Sequence, residues 1–246
     1  MQPQYMIDKV LQVKAEEYHC DIQDFSKSEN LVLQASPDKP FFRMISFGNG
    51  TVVSTHDELY QWCHTWFGQV EGIFCFDAPK LVEIGLAMQK FSFVPGEIFD
   101  WYLPLKFADV PMTMPAHQEI TYLENEQVNE LYQHKGFDNA LTYHDPSFTK
   151  MAMAAYHNTS LCAIAGVSSN YQDLWCLGVD VIPEYRKQGI ATYLVHSLTK
   201  RVLEQGIIPM YPTWYSNIGS RHTALNAGYR PIWVEIGSDP VNTEGR

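Results

Sequence analysis

No stretch of this chain approaches the ~18–20 consecutive apolar residues that a membrane-spanning helix needs. Its N-terminal Met-Gln-Pro-Gln-Tyr-Met-Ile-Asp-Lys has no basic segment followed by an apolar one, so neither a membrane partner nor a secretory leader is expected. Cysteine is sparse: Cys20, Cys63, Cys75, Cys162 and Cys176 are an odd number, widely spaced, with no Cys-x-x-Cys pair. That pattern argues against a disulfide framework or a zinc ribbon and for reduced thiols in a cytoplasm. The nine histidines are scattered, none paired at metal-ligand spacing, so no metal is expected. Basic side chains are in deficit, 17 Lys and Arg against 28 Asp and Glu, for a formal net charge of −11. A nucleic-acid partner is disfavoured, because phosphate backbones are held by clustered Lys and Arg, whereas a cationic substrate would be attracted. The phosphate-loop lysine motif and the dinucleotide glycine fingerprint are both missing, which disfavours an ATPase or a nicotinamide enzyme.

What remains is ample apolar material. Of 246 residues, 46% are apolar, enough for one large or two small domains with a substantial core. Residues 1–20 read as a helix and Leu31–Ala35 as a short strand. Phe41–Phe47 and Thr51–Ser54 form a hairpin about Gly48-Asn-Gly50. A helix is expected from His56 to Phe67, a buried strand over Gly72–Phe76, a helix from Pro79 to about Lys90 and a strand over Ile98–Leu103. Three prolines between Pro104 and Pro115 mark a boundary. Beyond it, Glu119–Leu123 is a strand, Glu124–Lys135 a helix, and Met151–Tyr156, Ser160–Val167 and Leu174–Ile182 an antiparallel meander. A long helix, a strand at Ile207–Thr213, a short helix and a strand at Pro231–Ile236 follow. Residues 1–105 and 115–240 are thus expected as two α/β domains.

The densest signal is Val179-Asp-Val-Ile-Pro-Glu-Tyr-Arg-Lys-Gln-Gly-Ile-Ala191. It reads as the end of a strand, stopped by Pro183, a turn containing Gly189, and the start of a helix. In that helix Ile190, Leu194, Leu198 and Val202 recur every four residues, and Gly206 is placed to end it. A helix N-terminus entered through a turn of little bulk presents unpaired N–H groups and partial positive charge, a seat for phosphate or pyrophosphate.

Arg186-Lys-Gln-Gly-Ile-Ala191 resembles the Arg/Gln-x-x-Gly-x-Gly/Ala signature of the GNAT superfamily of acyl-CoA-dependent N-acyltransferases. Asn217-Ile-Gly-Ser220, followed by Ala224 and Gly228-Tyr229, resembles that superfamily's second block. The resemblance covers about residues 115–240. The whole chain is also similar to a bacterial group with an extra N-terminal region, akin to zwittermicin-resistance-type acetyltransferases. The resemblance implies a mixed, mostly antiparallel sheet in which two parallel strands, Leu174–Ile182 and Ile207–Thr213, splay apart around the pantetheine arm of acetyl-CoA. Residues 1–105 would then set acceptor specificity, whether as an unrelated domain or as a degenerate copy of the same fold.

The implied coenzyme contacts are strand-edge groups at Val179 and Val181 and backbone N–H groups of Gln188, Gly189, Ile190 and Ala191. Arg186 and Lys187 would add charge, and Asn217 and Ser220 would reach the distal arm. Helix capping competes with that last role, evenly at Asn217 and as the preferred reading at Ser220. The family often carries a tyrosine seven residues after the helix-opening asparagine, and here that position is Ala224. Tyr211, Tyr215 and His222 stand near it as substitutes for the acid. For the base, strand parity singles out Asp173, with Asp180 on the opposite face. Cys176 reads as a core thiol rather than a nucleophile, and Trp214 and Tyr215 as pocket walls. The expected activity is acetyl transfer to the amine of a small molecule. A peptide or protein acceptor, or a non-catalytic acyl-CoA-binding module, are the alternatives, and a homodimer is compatible with the sequence.

Overall fold

Alternating strand and helix periods along the chain settle into two compact units in the computed structural model, which describes residues 1–116, 118–169 and 171–241. One unit joins Met1–Met6 to Tyr102–Pro231, and the other joins Ile7–Trp101 to Ile232–Arg246.

The elements of the first half are α1 (Pro3–Tyr18), β1 (Leu31–Gln34), β2 (Phe42–Ser46), β3 (Thr51–Thr55), α2 (Asp57–Phe67), α3 (Ala78–Gln89) and β4 (Phe93–Leu103). The β2–β3 hairpin pairs Phe42 with Thr55 through to Ser46 with Thr51, and Gly48 takes the positive φ of 97° that its turn needs. Every position of β2 and β3 is buried. One face meets Leu59, Cys63 and Phe67, which recur every four residues along α2, together with Ile84 and Met88 of α3. On the other, Arg43 lies over the Tyr18 ring and donates to the Glu17 carboxylate at 2.8 Å. The expected strand at Gly72–Phe76 is instead a 3-10 turn, Gly72–Phe74. Its amides bond locally, Phe74 N–H to Glu71 O and Cys75 N–H to Gly72 O, and Ile73 and Phe74 are exposed rather than buried.

The second half holds β5 (Glu119–Glu124), β6 (Thr149–His157), β7 (Ser160–Ser168), β8 (Leu174–Val181), α4 (Ile190–Glu204), β9 (Ile208–Trp214), α5 (Ile218–Asn226) and β10 (Arg230–Pro240). Strands β5 to β8 form an antiparallel meander, and β9 is parallel to β8. This is the mixed, mostly antiparallel sheet the sequence implies. α4 makes the crossover, burying Ile190, Leu194, Val195, Leu198 and Val202 in the core of its unit, and Gly206 ends it at φ 79°. The helix expected over Glu124–Lys135 is a 3-10 helix, Asn125–Gln133, whose buried Val128 and Leu131 are spaced by three, the period of that helix. Only the first two residues of β10 stay with this unit. From Val234 to Gly237 the strand pairs antiparallel with β2, and Ile236 joins the core of the other unit. The sequence groups residues 232–240 with the C-terminal domain; in space they complete the sheet begun by the first hundred residues.

Candidate active site

β8 and β9 run side by side for only three pairs, Leu174 with Ile208, Trp175 with Pro209 and Cys176 with Met210. β8 nevertheless stays paired with β7 as far as Val181, and β9 continues to Trp214. Beyond Cys176 and Met210 the two parallel strands therefore face one another without a ladder. Pro212 lies just past the last pair and has no N–H to offer one. Backbone groups of Leu177–Val181 on that side are left to other partners, as on any sheet edge. Val179 and Val181 are half-buried on this stretch.

The chain leaves β8 through a 3-10 turn, Pro183–Tyr185, and Arg186 donates its Nε hydrogen back to Val181 O at 3.0 Å. Lys187 and Gly189 both adopt positive φ, 62° and 79°. Such left-handed residues in a turn orient neighbouring N–H groups into an anion-binding concavity. Gly189 is the N-cap residue of α4 and supplies no capping side chain, so the first N–H groups of this 15-residue helix have none to bond. Residues 186–189 are all exposed. An anion would find here backbone donors, the positive end of a helix and two cationic side chains.

α5 closes the other side of the β9 exit. Asn217 caps it, its Oδ1 accepting from Ser220 N–H at 3.0 Å. The Ser220 side chain does not cap: its Oγ lies 2.9 Å from the Tyr211 hydroxyl. Tyr211 is buried, and burial pushes its hydroxyl up to about 12; the bond to Ser220 opposes that shift and the Asp180 carboxylate adds to it. Thr213, two residues on and on the same strand face, is 4% exposed, and its hydroxyl has no hydrogen-bond partner among the described residues. Ala224 is fully buried in the core, so no hydroxyl comes from that position. Arg221 donates to the Tyr102 hydroxyl at 3.1 Å.

Asp180 faces the other way, as its parity requires. It accepts from Asn139 N–H at 2.8 Å, Ala140 N–H at 3.0 Å and Asn139 Nδ2 at 2.5 Å, fastening that loop to the sheet. The carboxylate is structural.

The structure sets Asp173 at the opposite end of the strand pair from Tyr215 and His222. Asp173 precedes β8 at its paired end, where its carbonyl accepts from Ile208 N–H. From there to Val181 is roughly 26 Å of extended strand at about 3.3 Å per residue. Tyr215 lies at the far end of β9, 63% exposed, its ring beside Arg221. His222 sits on the exposed side of α5. Asp173 lies just outside β8, and strand parity says nothing of how far along the strand the ladder opens. Tyr211 and Thr213 follow the last pair of β9, and Pro212, which cannot donate to a ladder, is the signal in the sequence that this strand would leave its neighbour. Among the described residues no group of three or more His, Cys, Asp or Glu could hold a metal, and no helix is long and apolar enough to cross a membrane.

Divided parallel strands with an uncapped helix start beside them fit a long, amide-bearing ligand with an anionic end. The parted strand edge and the orphaned Thr213 hydroxyl offer partners for amides, and the turn at 186–191 offers donors for phosphate.

Residues 115–229 match the model of the Acetyltransferase (GNAT) family. Among solved structures, a GCN5-related N-acetyltransferase-like protein from Streptococcus suis is 14% identical with a TM-score of 0.49, over 63% of this chain and 66% of that chain, just under two thirds of its length. An acetyltransferase of the GNAT family from Colwellia psychrerythraea is 17% identical with a TM-score of 0.44, over 67% of this chain and 74% of that one. A Drosophila protein is 15% identical with a TM-score of 0.48, over 98% of this chain and 90% of its own. No match was found among curated proteins.

Proposed function

Residues 115–229 are a GNAT acetyltransferase domain, and from that premise we propose that the protein moves an acetyl group from acetyl-CoA to the amine of a small molecule. The observation that carries this reading is the parting of β8 from β9 after three pairs, directly before the uncapped start of α4. In this reading the amides of the pantetheine arm bond to the β8 edge at Val179 and Val181. The pyrophosphate takes the N–H groups of Gln188, Gly189, Ile190 and Ala191, with Arg186 and Lys187 adding charge. Asn217 acts by holding the first turn of α5 in place.

The amine nitrogen attacks the thioester carbonyl carbon directly. A backbone N–H of the parted strand supports the developing oxyanion. The attacking amine gives up its proton to water. The net charge of −11 favours a cationic acceptor over an anionic one.

Calorimetry with acetyl-CoA tests the cofactor site. Wild type should bind in the micromolar range, and Gly189→Glu should weaken binding by at least about tenfold. It sets a negative charge at the helix start and forces a side chain into positive φ. A mass-spectrometric screen of amines then reads turnover without thiol dyes. Tight binding with no amine acetylated would favour a non-catalytic acyl-CoA-binding module, the reading to which the buried alanine at position 224 lends weight. No binding by wild type would sink the acetyltransferase reading.

A further inference from the structure

We infer that the outer face of α3 docks against the same face of a second copy of this chain, the two helices antiparallel about a twofold axis level with Ile84. This does not depend on the acetyltransferase reading, because α3 lies wholly within the unit that joins Ile7–Trp101 to Ile232–Arg246.

α3 is apolar on two sides. Its inner side buries Ile84, Ala87 and Met88, none more than 5% exposed, in the core of the unit. A helix on a globular surface is then expected to be polar on its outer side. Here that side carries Pro79, Val82, Leu86 and Gln89, all exposed, Val82 to 61% and Leu86 to 60%. A groove of about 320 Å³ runs beside them, between Val82, Gly85, Leu86 and Gln89 of the helix and Val94 and Pro95 of β4. Gly85 lets β4 approach, since a Cβ there would stand 3.2 Å from Pro95 Cδ. Two large aliphatic side chains one turn apart beside an apolar groove form a surface fit for another apolar helix.

Spacing and charge select a second copy as that helix. The four outer positions stand three, four and three residues apart, the rhythm of a coiled-coil seam. They are also symmetric about Ile84, two before it and two after it at matching distances. Reversing the helix about that point exchanges Pro79 with Gln89 and Val82 with Leu86. A closed twofold interface requires such an exchange, because residue i must meet j while j meets i. Glu83 and Lys90 are seven residues apart and share one flank of the seam, whereas Ala78 and Gly85 form the other. In an antiparallel pair each flank meets its own copy. Side chains on a helix lean toward its N-terminus, so Glu83 of one copy and Lys90 of the other lean toward each other. The Glu83 carboxylate also accepts from Trp66 Nε1 at 2.7 Å and from Lys80 Nζ at 3.4 Å. A parallel pair would instead set Glu83 and Lys90 against Ala78 and Gly85, with no charge to answer them. An exposed ion pair adds little affinity, and its part here is to set the direction.

Sedimentation velocity on the full chain over a range of concentrations tests the pairing. The interface is small, so wild type should be half associated at about 10–100 µM. Val82→Lys and Leu86→Glu each set a charge in the seam, and each alone should weaken association by at least about tenfold. Both positions are exposed, so the core is left as it is, and an unchanged thermal midpoint checks that. Mixed in equal amounts, the two variants should associate again. The reversed register sets the new lysine against the new glutamate, while the second contact keeps Leu86 on Val82. Recovery in the mixture separates this register from general stickiness of an apolar face. Wild type that stays a monomer at about 100 µM overturns the inference and gives the face to a different occupant. Single variants that associate as wild type does overturn it by moving the contact elsewhere. A mixture that stays monomeric while wild type dimerises overturns the antiparallel pairing.

Discussion

Thr213 is the residue whose present surroundings explain it least. A buried hydroxyl without a partner costs on the order of 1–3 kcal/mol, yet its neighbour on the same strand face, Tyr211, is satisfied. Valine has nearly the same shape and no hydroxyl. Thr213→Val should therefore raise the thermal midpoint of the free protein by about 2–4 °C, the shift about 1 kcal/mol gives a chain of this size. It should also weaken acetyl-CoA binding several-fold if the hydroxyl serves the amide arm. Scanning calorimetry and titration calorimetry on one preparation read both. A variant that is stabilised and binds acetyl-CoA as wild type does would confine Thr213 to the fold. Lys187 carries a related tension. A lysine at φ 62° is strained by steric crowding that glycine escapes, and it sits in the turn assigned to pyrophosphate.

At the scale of elements, the two faces of β8 do different work. Leu177, Val179 and Val181 pack toward the α4 core, whereas Gly178 and Asp180 meet the loop at Phe137–Leu141. That loop lies so close that a Cβ built on Gly178 would overlap the Asn139 carbonyl, and one on Gly166 the Ala140 carbonyl. Both obstacles are backbone, which cannot swing aside. Gly178→Ala should destabilise the protein by about 2–4 kcal/mol, read as a lower midpoint in urea. A loss under about 0.5 kcal/mol would mean that the loop can lift off the sheet without cost. The strand, turn and helix from Leu174 to Glu204 were legible because the apolar period changes from two to about four across Pro183 and Gly189. Parity turned Asp180 away from the parted strands, and its bonds to Asn139 and Ala140 give it a structural role. The segment at Gly72–Phe76 was not legible, since a short apolar run is the same string whether it joins a sheet or turns on itself. Nor was the partnership of Ser220 with Tyr211, because a serine at the third position after an N-cap asparagine reads equally well as a helix-terminus residue. Where the acid–base candidates lie along the strands was not legible for a third reason: register and the point where a ladder ends are properties of two strands, and each strand's sequence speaks only for itself.

For the molecule as a whole, the informative feature is that its last strand belongs with its first hundred residues. Glu235 of β10 is the hub of that junction. It accepts from Lys14 Nζ at 3.0 and 3.3 Å, from the Tyr18 hydroxyl at 3.0 Å and from Trp233 Nε1 at 3.3 Å. Lys14 is 3% exposed, and its ammonium also lies near the Trp101 and Trp233 rings. Removing residues 232–246 would take away Lys14's carboxylate partner Glu235 and would bare the β2 edge between Arg43 and Ser46. Breaking such a buried pair from one side typically costs about 3–5 kcal/mol. For the same reason, a cut that removes residues 1–105 deprives β10 of its partner and bares Ile236, so it cannot serve as a clean test of acceptor selectivity. The expected outcome of truncation after Pro231 is a selective loss of hydrogen-exchange protection at the amides of β2 that face β10, with β5 to β8 still protected. Glu235→Gln keeps the strand and should leave those amides protected, while lowering global stability through the lost charge. If truncation leaves β2 as protected as in the full chain, the hairpin and α2 hold that sheet by themselves, and β10 is only laid against it.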